Sequence, residues 1–262
     1  MSPPFFLRSS SYLAMLIAML LFEWRAPFVG SQQKKSYRVM FHFGLAFMNG
    51  LILYLTLAGP TYAMVLYSQG HRWGLVHLLG LSGQIEILAT VIALDFWDYW
   101  MHLANHKIGF LWRFHKAHHS DMEMDVTTAS RFHIGELLIS GGVKCLMIVI
   151  WGPSLWGLVA FEAILTGASQ FHHSNVHIPL RFQDRLEKII VTPRMHRCHH
   201  ALHRKCFNTN FATIFSPWDR FFGTYHWARE THELEPIGLF KPRGPATMKL
   251  RALLLTPIKE IE

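Results

Sequence analysis

Residues 134–171 read IGELLISGGVKCLMIVIWGPSLWGLVAFEAILTGASQF, two apolar halves parted by Gly152-Pro153. Each half is about 18 residues, or roughly 27 Å of helix, close to the hydrocarbon thickness of a bilayer. Glycine followed by proline ends a helix, so this stretch predicts a hairpin that crosses a membrane and returns. An even number of crossings leaves the flanking segments on one side, and that decides the fold, because histidines flank both ends. Before the hairpin stand His102-x-x-x-His106 and His115-x-x-His118-His119; after it stand His173-x-x-x-His177 and His196-x-x-His199-His200.

Residues three or four apart share a helix face, so each cluster aims two or three imidazoles at one point. Ten imidazoles exceed the three or four protein ligands of one tetrahedral ion, and two metals are the simplest count. The two HxxHH runs are the more specific. Thr192-Pro193 supplies an N-cap and a first-turn proline, which starts a helix four residues before His196. Asn175 and Pro179 indicate that a helix ends near the third cluster. Asp98 lies one turn before His102 and is expected to hold that imidazole through the nitrogen turned away from the metal. His172 adjoins His173 and could exchange roles with it; His42, His71, His77, His203, His226 and His232 are read as structural.

Toward the N-terminus, Val39 to Ala58 is about 20 residues, enough to cross. Tyr12 to Phe22 is apolar, and Glu23-Trp24-Arg25 follows in place of a small-x-small cleavage site, so it reads as a retained but short first span. Residues 59–84, with Gly59-Pro60, Gly70 and His71-Arg72-Trp73, read as a loop with interfacial pieces. Ile85 to His106 predicts a helix whose apolar start crosses and whose aromatic, acidic end carries the first cluster. The expected fold is an all-α integral membrane protein of four to five transmembrane or hairpin helices. A cytosolic helical cap carries the two-metal site. Residues 1–84 are expected to form the N-terminal spans, 85–226 the histidine-bearing unit, and 227–262 a basic tail.

Composition agrees. Of 262 residues, 51% are hydrophobic and 16% charged, too apolar for an ordinary soluble domain. The formal charge of +8 gathers after the hairpin at Arg181, Arg185, Lys188, Arg194, Arg197, Arg204 and Lys205. Beside apolar spans this fits anionic lipid head groups better than nucleic acid. Arg25, Lys34, Lys35 and Arg38 outweigh Glu23 between the first two spans, and by the positive-inside rule this loop and the C-terminal region face the cytoplasm. Three cysteines without a CxxC motif argue against a disulfide scaffold. Cys198 reads as a small helix residue between ligands, with a soft-ligand role as the alternative.

Imidazole suits zinc, copper, nickel and iron alike. The Glu-x-x-His motif of soluble di-iron bundles and HExxH are both absent. Dense histidine groups at a helix exit do not match the axial ligands of a membrane haem. A transporter would place its ligands near the midplane within broken helices.

Four stretches carry a resemblance: Asp98-Tyr99-Trp100-Met101-His102 through His106; Trp112-Arg113-Phe114-His115 through Ser120; Thr192-Pro193-Arg194-Met195-His196 through His200; and Trp218-Asp219-Arg220-Phe221-Phe222-Gly223-Thr224-Tyr225. In order and spacing they resemble the fatty acid hydroxylase/sterol desaturase superfamily over residues 90–226. The resemblance implies a membrane-bound non-haem di-iron oxygenase with dioxygen as co-substrate, and zinc could replace iron in a recombinant sample. It implies that the ten histidines of the four clusters are the ligands, that no further catalytic residue is needed, and that Asp98, His133 and Asp219 stand behind the ligands. The substrate would be a lipid, and electrons would come from a separate donor of cytochrome b5, ferredoxin or reductase type. Lipid hydroxylation is expected, because the chain is short and resembles bacterial members. Desaturation of a sterol or lipid, ether-lipid oxygenation and a non-catalytic metal-binding or transport role are the alternatives. Two departures stand out. Arg131-Phe132-His133 is followed by Ile134-Gly135-Glu136 without the family's proline, and Asn208 occupies a stretch that is usually acidic.

Overall fold

The computed structural model describes residues 3–31, 33–203, 205–227, 236–239 and 248–258. It is all-helical, and among the described residues β-structure is limited to isolated bridges such as Pro27 with Val176. Helix α1 (Pro3–Arg25) begins earlier than the apolar pattern indicates, since Pro3-Pro4 can occupy a first turn whose N–H groups need no helical partner. Helix α2 (Lys35–Leu53) runs through a π-turn (Tyr54–Ala58) into α3 (Gly59–His71).

The loop expected from residue 59 is therefore helix as far as His71. Pro60 sits in the first turn of α3, and the wider π-turn before it absorbs the missing donor and the ring. Arg72, in the left-handed region at φ 51°, ends the helix. A short α4 (Leu75–Leu78) follows. Among the described residues, two helical stretches are long and apolar enough to cross a membrane: Lys35–Leu78, with 44 residues, and Ile134–Trp151, with 18. The first exposes Met40, Phe43, Phe47, Leu51 and Leu55 along its outer side.

The chain turns back where the sequence predicts, with α7 (Ile134–Trp151) and α8 (Leu155–His173) joined at Gly152, and of the two α7 alone is long and apolar enough to cross a membrane. Gly152 has φ 72°, and a Cβ there would strike the Trp73 carbonyl. Helix α5 (Gly83–Lys107) packs along α8. Near the start of α5, Glu86 accepts from the Ser154 amide (2.9 Å) and hydroxyl (2.6 Å), and Thr90 accepts from the Trp151 indole at 2.8 Å. The hairpin tip is thus tied to one end of α5, and the close α5–α8 approach needs Gly157, where a Cβ would meet Glu86. Val91, Leu94, Ile148, Leu158 and Phe161 fill the space between these helices.

The opposite end of the stack carries the cap. It comprises α6 (Gly109–His119), a 3-10 turn (Val126–Ser130), α9 (Leu180–Leu186), α10 (Pro193–His199) and α11 (Pro217–Phe221). Arg38 is buried and fastens α2 to this end, donating to Asp121 (2.8 Å) and Asp125 (2.7 Å). A final helix, α12 (Leu250–Leu254), buries Leu253 against Leu45 and Ala117. Arg204, His232 and most of the basic tail expected over 227–262 lie outside the described residues.

Candidate metal centre

Nine of the ten expected histidines converge at this end, in two groups. Ligand atoms of His102, His106, His115, His119 and His199 lie within 4.8 Å of one another; those of His118, His173, His196 and His200 do likewise. The helical repeat explains the sorting. Residues four apart point the same way, and the residue between them turns aside. Helix α6 therefore sends His115 and His119 to the first group and His118 to the second. Helix α10 does the reverse, sending His196 and His200 to the second group and His199 to the first. The groups touch where His119 stacks on His200, with ring centroids 4.2 Å apart.

Five of the nine histidines have their outer nitrogen held by an acceptor. Nδ1 of His102 donates to the Phe211 carbonyl (2.8 Å), and that of His199 to the Thr209 carbonyl (2.7 Å). His118 donates to Arg131 O (3.1 Å) and His173 to Ser169 O (2.7 Å). His115 donates to the Glu136 carboxylate at 2.7 Å. These bonds fix the tautomer and turn Nε2 inward as a lone pair. Burial favours the neutral form of His118, His119, His199 and His200. His199 is pushed down to about 3, and His118, His119 and His200 lie well below 6.5, first through burial and then through the facing imidazoles.

This arrangement fits metal ions. In the first group, Nε2 of His102, His115 and His199 and both ring nitrogens of His106 and His119 are buried without a hydrogen-bond partner. In the second, the lone pairs of His118 and His173 face each other across 3.1 Å, and Nε2 of His196 lies 3.0 Å from His173 and 3.1 Å from His200. Neutral imidazoles facing one another in this way repel unless a cation lies between them. Two nitrogens each ~2.1 Å from one ion stand roughly 3.0 Å apart at a right angle and ~3.4 Å apart in a tetrahedron.

His177 is not brought to either group. Helix α8 ends at His173, and the chain then leaves in extended form, so His177 is exposed and stacks on Phe28 at 6.1 Å. His172 is buried, its ring centroid 4.1 Å from that of His196, yet it belongs to neither group.

The supporting residues also differ from expectation. The acceptor for His102 is Phe211 O, not Asp98, whose charged neighbours are Lys144 on α7 and Glu162 on α8. His133 caps α7, accepting from the Gly135 amide at 2.9 Å, and Nε2 donates to Leu254 O at 3.3 Å; it touches no ligand. Asp219 acts at one remove: its carboxylate accepts from the Phe211 (2.7 Å) and Ala212 (2.9 Å) amides and so sets the carbonyl that holds His102. Asp95 holds the next turn through the Ile214 and Phe215 amides.

Glu136 is the supporting residue that sequence reasoning passed over. Its signal was present, an acidic residue in the first turn of an apolar helix. The carbonyl acceptors leave no trace in side-chain identity. Cys198 and Cys206 form a disulfide, against the expectation from an odd cysteine count. Turns at His203 fold the chain back and bring their Cα atoms to 5.1 Å.

The fatty acid hydroxylase family model matches residues 87–224, just over half of the chain. Human alkylglycerol monooxygenase is 30% identical over 162 residues, covering 59% of this chain and 34% of that protein. Ornithine lipid hydroxylase OlsE of Rhizobium tropici is 31% identical over 140 residues, covering 53% and 41% respectively. Human cholesterol 25-hydroxylase is 28% identical over 144 residues, covering 55% and 52%. The chain thus spans between about a third and a half of the length of these relatives. No solved structure matches it. The matched region contains all nine converging histidines, and this chain belongs to the fatty acid hydroxylase family.

Proposed function

We propose that the protein is an integral-membrane lipid hydroxylase built on a two-iron centre, inserting one atom of dioxygen into a C–H bond of a lipid chain. The observation that carries this reading is the sorting of nine imidazoles, seven buried and two half-buried, into two adjoining groups with ring nitrogens turned inward. His102, His106, His115, His119 and His199 would hold one metal, and His118, His173, His196 and His200 the other. When bound, the metals supply activation of dioxygen, with two electrons from a separate donor protein and the second oxygen atom leaving as water.

The chain's own residues position and insulate. The Glu136 carboxylate raises the basicity of His115 and fixes its ring, and the carbonyls of Arg131, Ser169, Thr209 and Phe211 do the same for their partners. Burial of the ligands keeps bulk water from the centre. The hairpin and the apolar outer face of α2 suit a substrate that arrives from the bilayer, and the loop charges favour a cytoplasmic position for the histidines.

Hydroxylation is preferred over desaturation because the relatives above are named hydroxylases and monooxygenases, differing in the lipid they act on. A transport role is disfavoured by ligands gathered at helix ends and shared between two sites. The test combines metal analysis of purified protein with comparison of lipid extracts from cells with and without it. A lipid that gains one oxygen, together with two irons per chain, is the expected result. Loss of two hydrogens would establish desaturation instead, and a preparation that binds no metal under reducing, iron-replete conditions would overturn the reading.

A further inference from the structure

A cleft of ≈ 250 Å³ lies between the end of α8 and the start of α10. Ser174, directly after His173, and Pro193, three residues before His196, form part of its wall. Arg194 and Arg197 border it from α10, His177 borders it from the extended segment, and Phe28, Met124 and Ile178 make it partly apolar. Both arginines lie on α10 and line this one cleft. Arg194 is 7% exposed. Among its neighbours are the half-exposed Asp184 carboxylate at 3.8 Å and the Trp227 ring at 5.6 Å.

We propose that this cleft is the subsite for an acidic lipid head group, phosphate or carboxylate, of the substrate. The proposal rests on the lipid hydroxylase reading above and narrows the substrate class. Guanidinium groups match the planar and tetrahedral oxygens of such anions through paired donors, and His177, which also lines the cleft, adds a third donor. The cleft's volume suits a head group rather than a chain. Its concavity and size exclude an acidic protein face, which needs roughly 800 Å² per partner. Ser174 in the cleft wall directly follows His173, and Pro193 precedes His196 by three residues, so the subsite adjoins two of the segments that carry the histidines.

The test uses the full chain purified in a neutral detergent, with iron content measured on the same preparation. Binding of phosphatidic acid is compared with that of diacylglycerol bearing the same chains, with inorganic phosphate as competitor. Phosphatidic acid is expected to bind at least about tenfold more tightly. Arg197→Gln should remove most of that preference, and His177→Gln, at an exposed position, should reduce it. Arg185→Gln, on the exposed face of α9, should leave it intact. Inorganic phosphate should compete only weakly.

Equal binding of the two lipids by the unaltered protein would overturn the proposal, and this needs no variant to fold. So would an Arg185→Gln effect as large as that of Arg197→Gln, which would reveal diffuse surface attraction. Inorganic phosphate binding as tightly as phosphatidic acid would mark a free-anion site and also overturn it. Iron content separates the two readings: metal-loaded protein without head-group preference defeats this inference alone, and metal-free protein with the preference defeats the oxygenase reading alone.

Discussion

Glu136 offers the sharpest test of how the first metal group is held. Its Oε1 accepts from His115 Nδ1 at 2.7 Å and from Asn105 Nδ2 at 3.3 Å, and the residue is buried. A hydrogen bond to a charged group contributes about 1.5–3 kcal/mol, which corresponds to roughly 10- to 150-fold in an equilibrium constant. Partners placed behind metal ligands carry about 10- to 100-fold in affinity. Glu136→Gln keeps an acceptor for His115 and loses only the charge, so metal affinity should fall by about tenfold. Glu136→Ala removes the acceptor and frees the ring, and the loss should approach 100-fold. Asp98→Asn is the control, because Asp98 faces Lys144 and Glu162 rather than a ligand. The assay is competition for bound metal by a chelator of graded strength, read as metal per chain. Normal retention in Glu136→Ala together with loss in Asp98→Asn would refute the assignment and restore Asp98 as the orienting carboxylate.

Three further outcomes follow from the same geometry. His173→Ala should lower metal content toward one ion per chain while His177→Ala leaves it unchanged, as measured by elemental analysis; equal loss would return His177 to the site. Asp219→Ala leaves the Phe211 and Ala212 amides without their acceptor and should destabilise the fold by about 3 kcal/mol, lowering the thermal midpoint and loosening His102. Burial lowers His118, His119 and His200 well below 6.5 and His199 to about 3 in the folded, metal-free chain, and the unfolded chain therefore binds more protons between 6.5 and these lowered values. Stability must rise with pH across that window, by about 1.4 kcal/mol per pH unit for each such group. Acidification from pH 6.5 should unfold the metal-free chain with a proton order above one, and a pH-independent midpoint would contradict this.

Much of the architecture is written in local pattern. The apolar halves of 134–171, the Gly152-Pro153 break and the Thr192-Pro193 start all state their roles through residue type and spacing, and the helices form there. The histidine spacing likewise announces a metal-binding surface. Other features depend on where distant segments meet. Pro60 reads as a breaker, and only the π-turn before it carries the helix past. His177 has ligand spacing, but α8 stops at His173, so helical periodicity no longer applies. Asp98 shares a helix face with His102 by count, yet α7 and α8 bring Lys144 and Glu162 to it while the Phe211 carbonyl reaches the imidazole. Cys198 and Cys206 become partners through a fold-back that the cysteine count does not register.

The reciprocal sorting of α6 and α10 binds the fates of the two nuclei. Each helix is a yoke across both, giving a pair to one and a single ring to the other, so neither helix can rotate or slide to suit one ion without disturbing its neighbour. The spacing between the two groups is therefore written into helix pitch, and a turn of either helix is felt on both sides of the bridge.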